Sequence, residues 1–487
     1  MTDDIRFLIV AFDGLRPDMV DDDLTPNLAA FCRQGAHCTD SRGVFPTETR
    51  VNQASLITGC HPGQHGMVAN KFMEPAAGGF LNTADFDALS HADRALDGIL
   101  TAPSLGEILH QAGRELAVIG CGTAGGNRLL HHRAEALGAL NMSLHGLDKS
   151  ATPLAGGAVV DAFRPIPKAD LPNRAQIDWV VDAYMEEVAV GRDPGAAILW
   201  FSDPDTPFHY RGIESPEAAA AIRHADHVLG RLLDWRQESG RAECLQIIVL
   251  SDHGHVATHG APLDLEAKFR AAGFSFGPNG DADLIAGTCA ALYARDSVIQ
   301  GRLVAWLQEQ PWCGPIFARQ MKDGAQPPGS LPLAAANLEH VRTGDIVFVL
   351  NRDDVAPNGG LLGRCLHDNP EIPTGCGMHG GLSPYEVSTI LAFSGSLFAT
   401  ETKVTAPTGI IDILPTMLHA LGLEAPAMDG RVLHEISAGG MITAPPSRPE
   451  KTSTAHGDHY RQSLHADEVG GCRYLAHGQR DDAAPLP

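Results

Sequence analysis

The sequence is short of basic residues and contains neither a paired cysteine motif nor a long apolar run. Its 36 lysines and arginines stand against 59 aspartates and glutamates, which gives a formal net charge of −23. A chain this acidic, without a basic stripe, is poorly suited to bind the phosphate backbone of a nucleic-acid polymer. We therefore expect a small-molecule substrate. An anionic substrate would need local positive charge, such as bound divalent cations.

Signals for export and for membrane insertion are also missing. Acidic residues stand near the start of the chain, where a secretory signal needs basic ones, and the apolar run that follows is short. No stretch has the roughly 20 apolar residues of a transmembrane helix. The ten cysteines form no C-x-x-C pair, as is typical of reduced thiols. We expect a cytoplasmic protein with no membrane partner, and the pattern leaves a homo-oligomer open.

Short apolar runs alternate with segments that carry helix signals. The runs "IRFLIVAFDG", "ELAVIGCG", "AAILWFSDPD" and "LQIIVLSDHGH" are typical of strands that are buried on both faces. The helix signals are clearest at Thr25 and Ser215, where a capping residue is followed by proline. The alternation predicts an α/β fold with a central, mostly parallel sheet flanked by helices.

The regularity of this alternation divides the chain. We expect an α/β core over residues 1–260, with a small insertion at about 71–100. From 261 to 375 the alternation is interrupted by segments rich in proline and glycine, which predicts an inserted cap subdomain. Residues 376–440 return to the core pattern. Residues 441–487 are polar and rich in proline, which predicts a C-terminal tail that could wrap the body or a partner.

Polar residues follow three of the apolar runs. Asp13 ends one run, Asp205 follows another, and Asp252 and His253 end a third. Because ligands bind beyond the carboxyl ends of parallel strands, these side chains should converge at one edge of the sheet. Taken singly, Asp13 also fits a turn, and Asp205 with His209 fits an ion pair or an ordinary loop.

Together these residues form a set suited to metal binding. Three carboxylates and three histidines supply enough oxygen and nitrogen ligands for two divalent ions. The third histidine, His379, lies among glycines in "GCGMHGG", where a free loop histidine is the plain alternative. Two neighbouring ions can clamp the attacking and the leaving oxygen of an in-line displacement. A hydroxyl beside such an ion is activated as a nucleophile.

The segment "GVFPTETRVNQASLITG" offers two hydroxyls for that role. Thr47 and Thr49 precede an apolar run, so the local pattern alone favours helix capping for both. A helix N-terminus also attracts anions, and therefore capping and catalysis are compatible at one residue.

The chain resembles the alkaline phosphatase superfamily, and most closely its nucleotide pyrophosphatase/phosphodiesterase branch. The resemblance is carried, in order along the chain, by "VAFDGLRPD", "TPNLAAF", "FPTETRVNQASLITGCHPGQHGMVANK", "DPDTPFHYRG", "LSDHGH", "GMHGG" and "DILPTMLHALGL". Any one segment is weak, but the ordered set is highly specific. The resemblance implies an alkaline-phosphatase-like fold with an inserted cap, and two divalent metal ions. Zinc is expected, with manganese or iron as alternatives.

The resemblance also implies roles for single residues. In this branch a Pro-Thr-x-Thr-x-x-Asn segment carries the nucleophile at its second threonine, which is Thr49, and Asn52 is the oxyanion-side amide; Thr47 keeps a structural role. The implied metal ligands are Asp205, His209 and His379 for one ion, and Asp13, Asp252, His253 and the Thr49 oxygen for the other. The implied reaction is a double displacement, in which Thr49 attacks phosphorus and water then hydrolyses the phospho-threonine.

The sequence departs from this branch directly after the nucleophile. The branch usually has an aromatic residue and a proline there, whereas this chain has Arg50 and Val51. Arg50 is either a planar cation that binds a phosphate or carboxylate or a solvated charge on the helix. Lys71 follows the motif closely enough to reach a substrate, although a surface position fits it as well.

Other histidines carry no ligand role in the resemblance. His65 matches a structural position of the family. His255 and His259 fall outside the ligand set, either behind the ligands or facing solvent. Sulfatase chemistry is disfavoured, because the Cys-x-Pro-x-Arg segment of those relatives is missing at the nucleophile position.

These residues support three hypotheses of function. The first is a two-metal hydrolase of phosphodiester, pyrophosphate or related phosphonate ester bonds that uses Thr49. The second is a hydrolase of carbon–phosphorus bonds that resembles the phosphonoacetate hydrolases, which share the Thr-x-x-Asn spacing. The third is a catalytically silent, metal-stabilised binding protein, which the complete ligand set together with Thr49 and Asn52 disfavours.

Overall fold

A central sheet of eight strands runs through the protein. The computed structural model describes residues 4–357, 359–439, 443–483 and 486. Across the sheet the strands follow the order Thr402–Val404, Ala36–Cys38, Leu391–Ser394, Leu245–Leu250, Arg6–Phe12, Ala196–Phe201, Leu116–Gly120 and Asn141–Ser143. Neighbours pair in parallel, except that Leu391–Ser394 is antiparallel to both of its partners. This confirms the predicted α/β fold with a mostly parallel sheet.

The strand Arg6–Phe12 shows why continuous apolar runs form this sheet. Leu8 and Val10 belong to one hydrophobic core, and Phe7 and Ile9 belong to another on the opposite face. Helix residues fill both cores, so every side chain of the strand after the first is buried. Each large apolar side chain buried in this way stabilises the fold by roughly 1.5–3 kcal/mol. A strand with alternating polar residues could bury apolar side chains on only one face of the sheet.

Helices flank the sheet and connect its strands. The α-helices span Pro26–Gln34, Thr49–Thr58, Pro62–His65, Phe86–Ala95, Leu105–Gln111, Ala124–Leu130, Ala134–Leu137, Pro153–Ala162, Arg174–Ala183, Asp205–Arg211, Pro216–Glu238, Leu265–Ala271, Ser297–Gln308, Pro384–Val387 and Ile413–Leu421. The helix that ends at Ala183 continues as a π-helix over Tyr184–Arg192. Thr25 and Ser215 lie at the predicted helix starts, and Ser215 accepts a hydrogen bond from the first turn.

A second sheet of five strands lies in the range for which we predicted a cap. Its strands follow the order Ala282–Ile285, Cys289–Ala294, Ile346–Leu350, Cys313–Ala318 and Leu331–Pro332. The helices Leu265–Ala271 and Ser297–Gln308 contribute to a hydrophobic core of its own. In the range of the smaller predicted insertion, Lys71–Glu74 and Gly79–Asn82 form a two-stranded hairpin. The division into subdomains stays a prediction.

Two small sheets connect these parts. One joins Ser388–Thr389, Ser41–Arg42 and Thr408–Gly409, and the other joins Arg352–Asp353, Arg364–Cys365, Val256–Thr258 and Gly377–Met378. The strand Gly377–Met378 leads directly to His379. It pairs with Val256–Thr258, which follows the end of a central strand. This pairing brings the late histidine back to the edge of the central sheet.

The C-terminal residues form a sheet where we expected a polar tail. Ser447–His456, Tyr460–Val469 and Cys472–Arg480 are antiparallel strands in that order. The middle strand buries Tyr460 and Leu464. The edge strand Ser447–His456 is exposed along most of its length. Its sequence is therefore polar and lacks the apolar alternation that predicts a strand.

None of the helices among the described residues is both long enough and apolar enough to span a lipid bilayer.

Candidate two-metal centre and nucleophile

Three neighbouring strands of the central sheet bring their polar end residues to one edge. The strand that ends before Asp13 lies between the strand that leads to Asp205 and the strand that leads to Asp252. The Asp205 amide donates to the Asp13 carbonyl at 3.0 Å, and the Gly14 amide donates to Oδ1 of Asp252 at 3.1 Å. The structure therefore contains the convergence that the strand ends predicted.

Nε2 of His253 is the centre of a first group of ligand atoms. It lies 3.2 Å from Oγ1 of Thr49, 3.4 Å from Oδ2 of Asp252 and 3.5 Å from Oδ1 of Asp13. Both of these carboxylate oxygens are buried and have no hydrogen-bond partner among the described residues. The other oxygen of Asp13 accepts a hydrogen bond from Nε1 of Trp200 at 2.9 Å, which fixes this carboxylate.

Oδ1 of Asp205 is the centre of a second group. It lies 3.2 Å from Nε2 of His209 and 3.5 Å from Nε2 of His379. Nε2 of His255 lies closer, at 2.9 Å. The two groups adjoin each other, because the rings of His253 and His379 stack with their centroids 3.7 Å apart.

The three predicted histidine ligands present the same nitrogen to the site. Each turns Nε2 towards the carboxylates and uses Nδ1 to donate to a backbone carbonyl, which can only accept. These bonds join His209 to Gly377 at 2.8 Å, His379 to Thr47 at 2.8 Å and His253 to Gly254 at 3.2 Å. Such bonds fix the orientation of the ring and leave the Nε2 lone pair for a cation.

The spacing of the ligand atoms fits metal coordination. Four ligands at the usual bond lengths around tetrahedral zinc lie about 3.3–3.4 Å from one another. Six distances were given above from Nε2 of His253 or Oδ1 of Asp205 to neighbouring ligand atoms. Five of them fall between 3.2 and 3.5 Å. Two sets of histidine and carboxylate side chains have ligand atoms that all lie close enough to one another for one ion: Asp205, His209, His255 and His379, and Asp13, Asp205 and His253. Asp252 is in neither set, but its Oδ2 contacts Nε2 of His253. The donor set is nitrogen and oxygen, which suits zinc, manganese or iron.

Because these carboxylates are buried, their ionised forms are energetically unfavourable unless a cation is bound nearby. Burial raises the pKa of Asp13 well above its usual range, and the charges of Asp252 and Asp205 add to that rise. Burial also raises the pKa of Asp252. Burial alone would raise the pKa of Asp205 too, but His209 and His255 beside its carboxylate lower that pKa well below its usual range. Divalent cations would supply the positive charge that this cluster lacks.

Thr49 stands at the first position of the helix Thr49–Thr58. Its side chain is mostly buried, with 8% exposure, and its hydroxyl faces the first ligand group. The backbone N–H groups of a first helical turn have no partner inside the helix, and the helix dipole adds positive potential there. This position therefore favours an anion next to the Thr49 hydroxyl.

Thr47 has a different environment. It is fully buried, its hydroxyl donates to the Gly381 carbonyl at 2.9 Å, and it accepts from the Gly380 amide at 3.0 Å. Its carbonyl also holds the ring of His379. Thr47 thus anchors the loop that carries the last histidine, and its hydroxyl is already used in two hydrogen bonds to that loop.

The contacts of Asn52 do not support its predicted role at the phosphoryl group. The side chain is fully buried. Oδ1 accepts from the Val44 amide at 2.7 Å, and Nδ2 donates to the Glu48 carbonyl at 3.1 Å. Both ends of the side-chain amide are therefore used to hold the loop before Thr49 against the helix. One helical turn separates Asn52 from that loop, so its side chain reaches backwards along the chain.

A second asparagine, Asn70, lines the open cleft at the ligand groups together with Thr49. Its Oδ1 accepts from the backbone amide of Arg50 at 3.2 Å, and its own backbone amide donates to the carboxylate of Glu48. Nδ2 has no hydrogen-bond partner within the ranges that the structure describes. Asn70 was not predicted from the sequence, because its contact with the start of the helix depends on the hairpin that follows it. The only sequence signal is its place in the long matching segment that ends in "VANK".

An open cleft of about 680 Å³ leads to both ligand groups. Arg50 and Lys71 line it together with Thr49 and Asn70. The Arg50 side chain is half-buried, and its Nε donates weakly to Oγ1 of Thr83 at 3.4 Å. Its guanidinium forms no ion pair with a carboxylate of the described ranges. Lys71 is exposed at the rim, so it lies both on the surface and within reach of a bound molecule.

The remaining histidines differ from one another. His65 is fully buried and bonds Oγ of Ser55 at 2.9 Å, away from the cleft, in line with a structural role. His255 was expected behind the ligands or facing solvent. It is fully buried and touches the carboxylate of Asp205 directly. The sequence signal for its closeness to the site is its position in "DHGH", two residues after His253.

A family model described as type I phosphodiesterase/nucleotide pyrophosphatase matches residues 7–350. This range contains Thr49 and five of the predicted metal-binding side chains from other positions. His379 lies beyond the end of the match.

Two curated relatives match part of the chain. Ectonucleotide pyrophosphatase/phosphodiesterase family member 1 of Rattus norvegicus is 24% identical over 252 residues, which is 51% of this chain and 24% of that protein. Family member 7 of Homo sapiens is 25% identical over 285 residues, which is 56% of this chain and 55% of that protein. The chain thus matches about a quarter of the length of the first relative and about half of the second.

A solved structure of murine ectonucleotide pyrophosphatase/phosphodiesterase 5 has a similar fold. The TM-score is 0.62 at 18% sequence identity, and the match covers 89% of this chain and 100% of that chain. A second structure of the murine protein, an inactive threonine-to-alanine variant in complex with AMP, matches equally well. At this identity the likeness shows the fold alone, which is the arrangement of the large parallel sheet and its helices.

Proposed function

The chain belongs to the type I phosphodiesterase/nucleotide pyrophosphatase family of the alkaline phosphatase superfamily, and on that premise we propose that it is a metal-dependent hydrolase of phosphodiester or related phosphoester bonds. Thr49 is the proposed nucleophile. One observation carries the proposal: Oγ1 of Thr49 lies beside Nε2 of His253 in the same group as the unpartnered oxygens of Asp13 and Asp252. A capping threonine has no structural reason to lie among metal ligands.

The two ligand groups explain how a weak nucleophile can react. Cations bound there would lower the pKa of the Thr49 hydroxyl and offset the negative charge of the phosphoryl group. The proposed ligands are Asp205, His209 and His379 for one ion, and Asp13, Asp252, His253 and Thr49 for the other. Zinc is the proposed metal because both sets combine histidine with carboxylate, and manganese or iron fits the same donors.

The proposed reaction has two displacements. Thr49 loses its proton to solvent, its oxygen forms a bond to phosphorus, and the bond from phosphorus to the leaving oxygen breaks. The leaving oxygen takes up a proton from solvent. Water then attacks phosphorus, the bond to Thr49 breaks, and Thr49 is protonated again. Together the steps consume one water and release an alcohol and a phosphomonoester, or two phosphates when the substrate is a pyrophosphate.

Three side chains of the cleft are proposed to bind the substrate. Asn70 lines the cleft together with Thr49, and the N–H groups of its side-chain amide could bind an oxygen of the phosphoryl group. Arg50 has a half-buried guanidinium without a carboxylate partner in the described ranges, which suits a phosphate or carboxylate oxygen. Lys71 at the rim could bind a more distant anionic group. Asn70 thereby takes the role predicted for Asn52.

A parallel assay tests the proposal. The protein is loaded with zinc and offered a bis-aryl phosphodiester, an aryl phosphonate monoester, an aryl phosphomonoester, a dinucleotide and phosphonoacetate. We expect the diester or the phosphonate monoester to be hydrolysed fastest. Release of phosphate from phosphonoacetate alone would instead identify a hydrolase of carbon–phosphorus bonds.

Metal analysis tests the third hypothesis, that of a catalytically silent binding protein. A folded preparation that binds two ions per chain but hydrolyses none of these substrates would support a silent binding protein. Fewer than about one ion per chain would contradict both hydrolase hypotheses. The cytoplasmic location and the oligomeric state stay predictions.

A further inference from the structure

His255 occupies a fully buried position against the second ligand group. Its Nε2 lies 2.9 Å from Oδ1 of Asp205. Its ring packs edge-on against Phe208 at 5.1 Å and contacts the rings of His209 and His379, each at 4.9 Å between centroids. The sequence pattern left its role undecided, and the proposed hydrolysis assigns it none.

The distance to Asp205 separates His255 from the two histidines proposed as ligands. Oδ1 of Asp205 lies 3.2 Å from His209 and 3.5 Å from His379, which matches the spacing of two ligands on one tetrahedral ion. The 2.9 Å to His255 is shorter than that spacing and falls at the usual length of an N–H···O hydrogen bond. This distance therefore favours a direct bond to the carboxylate.

The far side of the ring agrees with this interpretation. Metal-bound histidines almost always donate their second N–H to an acceptor, and His209, His253 and His379 all do so through Nδ1. Nδ1 of His255 is buried and has no hydrogen-bond partner among the described residues. If Nε2 bound a metal, the remaining N–H would be buried without an acceptor. With the proton on Nε2, only a lone pair is left without a partner, which is the less costly arrangement.

Two glycines provide the space for the ring. A Cβ atom at Gly14 would lie 2.7 Å from Nε2 of His255, and a Cβ atom at Gly377 would lie 2.8 Å from its Nδ1. Side chains at either position would push the ring out of place. The backbone at these two glycines therefore leaves room for the imidazole in this orientation, in which Nε2 contacts Asp205.

We propose that His255 is a positioning residue that donates its Nε2–H to Oδ1 of Asp205 and holds this carboxylate in place for the cation shared with His209 and His379. A carboxylate oxygen has two lone pairs, so it can accept this bond and still bind a metal. The proposed ion then has three ligands from this group, and a position is left for the substrate or water, as in catalytic sites. The inference rests on the metal site of the proposed function.

Metal binding by three variants tests the role of His255. His255→Gln keeps an N–H donor near the position of Nε2, whereas His255→Met keeps the volume and removes the donor. His65→Met is the matched control, because it removes a buried histidine that lies outside the ligand groups. Zinc affinity is measured by titration of metal-free protein against a competing chelator. Thermal unfolding of the metal-free proteins checks that each variant is folded.

We expect His255→Met to bind one of its two zinc ions about 10–100-fold more weakly than the wild type. His255→Gln should stay within about threefold of the wild-type affinity, and the control should match the wild type. Equal affinities for His255→Met and the wild type would overturn the proposal. If His255→Met does not fold, His255→Gln still tests the proposal, because an affinity far below that of the wild type would overturn it.

A cobalt spectrum distinguishes positioning from direct ligation. Visible absorption of Co²⁺ depends on the identity and number of its ligands. We expect His255→Gln to give the wild-type spectrum, because the ligand set is unchanged. A clear change in band position or intensity would show that His255 is itself a ligand and would overturn the proposal. These measurements need no substrate, so a protein without hydrolytic activity would contradict the proposed function while leaving this inference testable.

Discussion

Oγ1 of Thr49 lies 3.2 Å from Nε2 of His253, although 204 positions separate the two residues in the chain. The hydroxyl comes from the start of a helix, and the imidazole comes from the end of a strand in the middle of the central sheet. Because Thr49 has only the short side chain of threonine, its backbone must approach the sheet edge closely. The loop before it is held there by Asn52 and Thr47, through buried hydrogen bonds to the backbone.

Replacement of Thr49 tests the nucleophile. We expect Thr49→Ala to lower turnover of the best substrate by at least about 10³-fold, because the attacking oxygen is lost. Thr49→Ser keeps that oxygen and should retain measurable turnover. Steady-state rates are measured with saturating zinc, together with the metal content of each variant. Thr47→Ala is the control, because it also removes a hydroxyl, and it should retain much more activity than Thr49→Ala. A larger loss in Thr47→Ala than in Thr49→Ala would show that Thr47 is the nucleophile.

The two asparagines should respond in opposite ways. Asn70→Ala removes a donor from the lining of the cleft, and we expect kcat to fall about 10²–10³-fold with little change in stability. Asn52→Ala leaves buried backbone groups without partners, and we expect a loss of about 1–3 kcal/mol in the free energy of unfolding. Urea unfolding and steady-state kinetics check both. A large loss of kcat in stable Asn52→Ala, with normal activity in Asn70→Ala, would restore the role predicted from the sequence.

Arg50 should contribute to substrate binding. We expect Arg50→Gln to lower kcat/KM about 10–100-fold, because a charge-assisted hydrogen bond to an anionic oxygen is lost. Lys71→Gln removes an exposed charge at the rim of the same cleft and should stay within about threefold. If both variants match the wild type, Arg50 does not bind the substrate, and its guanidinium is only a half-buried charge on the helix.

A buried histidine far from the cleft should make stability depend on pH. Burial, with His132 and His110 nearby, lowers the pKa of His131 from 6.5 to about 3, and neither ring nitrogen has a hydrogen-bond partner among the described residues. Because the pKa is lower in the folded state, the unfolded chain binds more protons between pH 3 and 6.5. The contribution of His131 to stability is therefore present above that window and is lost as the pH falls through it, by up to about 1.4 kcal/mol per pH unit.

The comparison of wild type with His131→Leu isolates this effect. We expect the difference in their free energies of unfolding to shift in favour of the variant by roughly 2 kcal/mol between pH 7 and pH 5. Urea unfolding of metal-free protein at both pH values measures it, so that release of metal does not contribute. A difference that does not change with pH would contradict a neutral, buried His131.

The parts of the site on the central sheet could be predicted from local sequence. Asp13 and Asp252 follow apolar runs, and the ends of neighbouring parallel strands must meet at one edge. The pattern before "NQASLITG" likewise predicted a helix start, and the helix begins at Thr49. The capping role was wrong, however, because Glu48 is the N-cap residue and neither threonine caps the helix with its side chain. These features depend on short segments and on general rules of parallel sheets.

The features that were missed depend on contacts between distant segments. Asn70 contacts the backbone of Arg50, next to Thr49, and it is placed there by the turn into the hairpin that begins at Lys71. Asn52 carries the sequence spacing of an active-site amide, but helix geometry directs it backwards to Val44. The edge strand Ser447–His456 is polar because most of its length is exposed. The two strands that follow bury residues such as Leu464, which shows that they belong to the fold. No local pattern contains this information.

The stereochemical course at phosphorus tests most directly whether transfer occurs in two displacements through Thr49. One enantiomer of a chiral phosphorothioate diester is hydrolysed in isotopically labelled water, and the configuration of the product is determined. Each in-line displacement inverts phosphorus. Two displacements through a threonine intermediate therefore predict net retention. Net inversion would show that water attacks the substrate directly, and it would contradict the account.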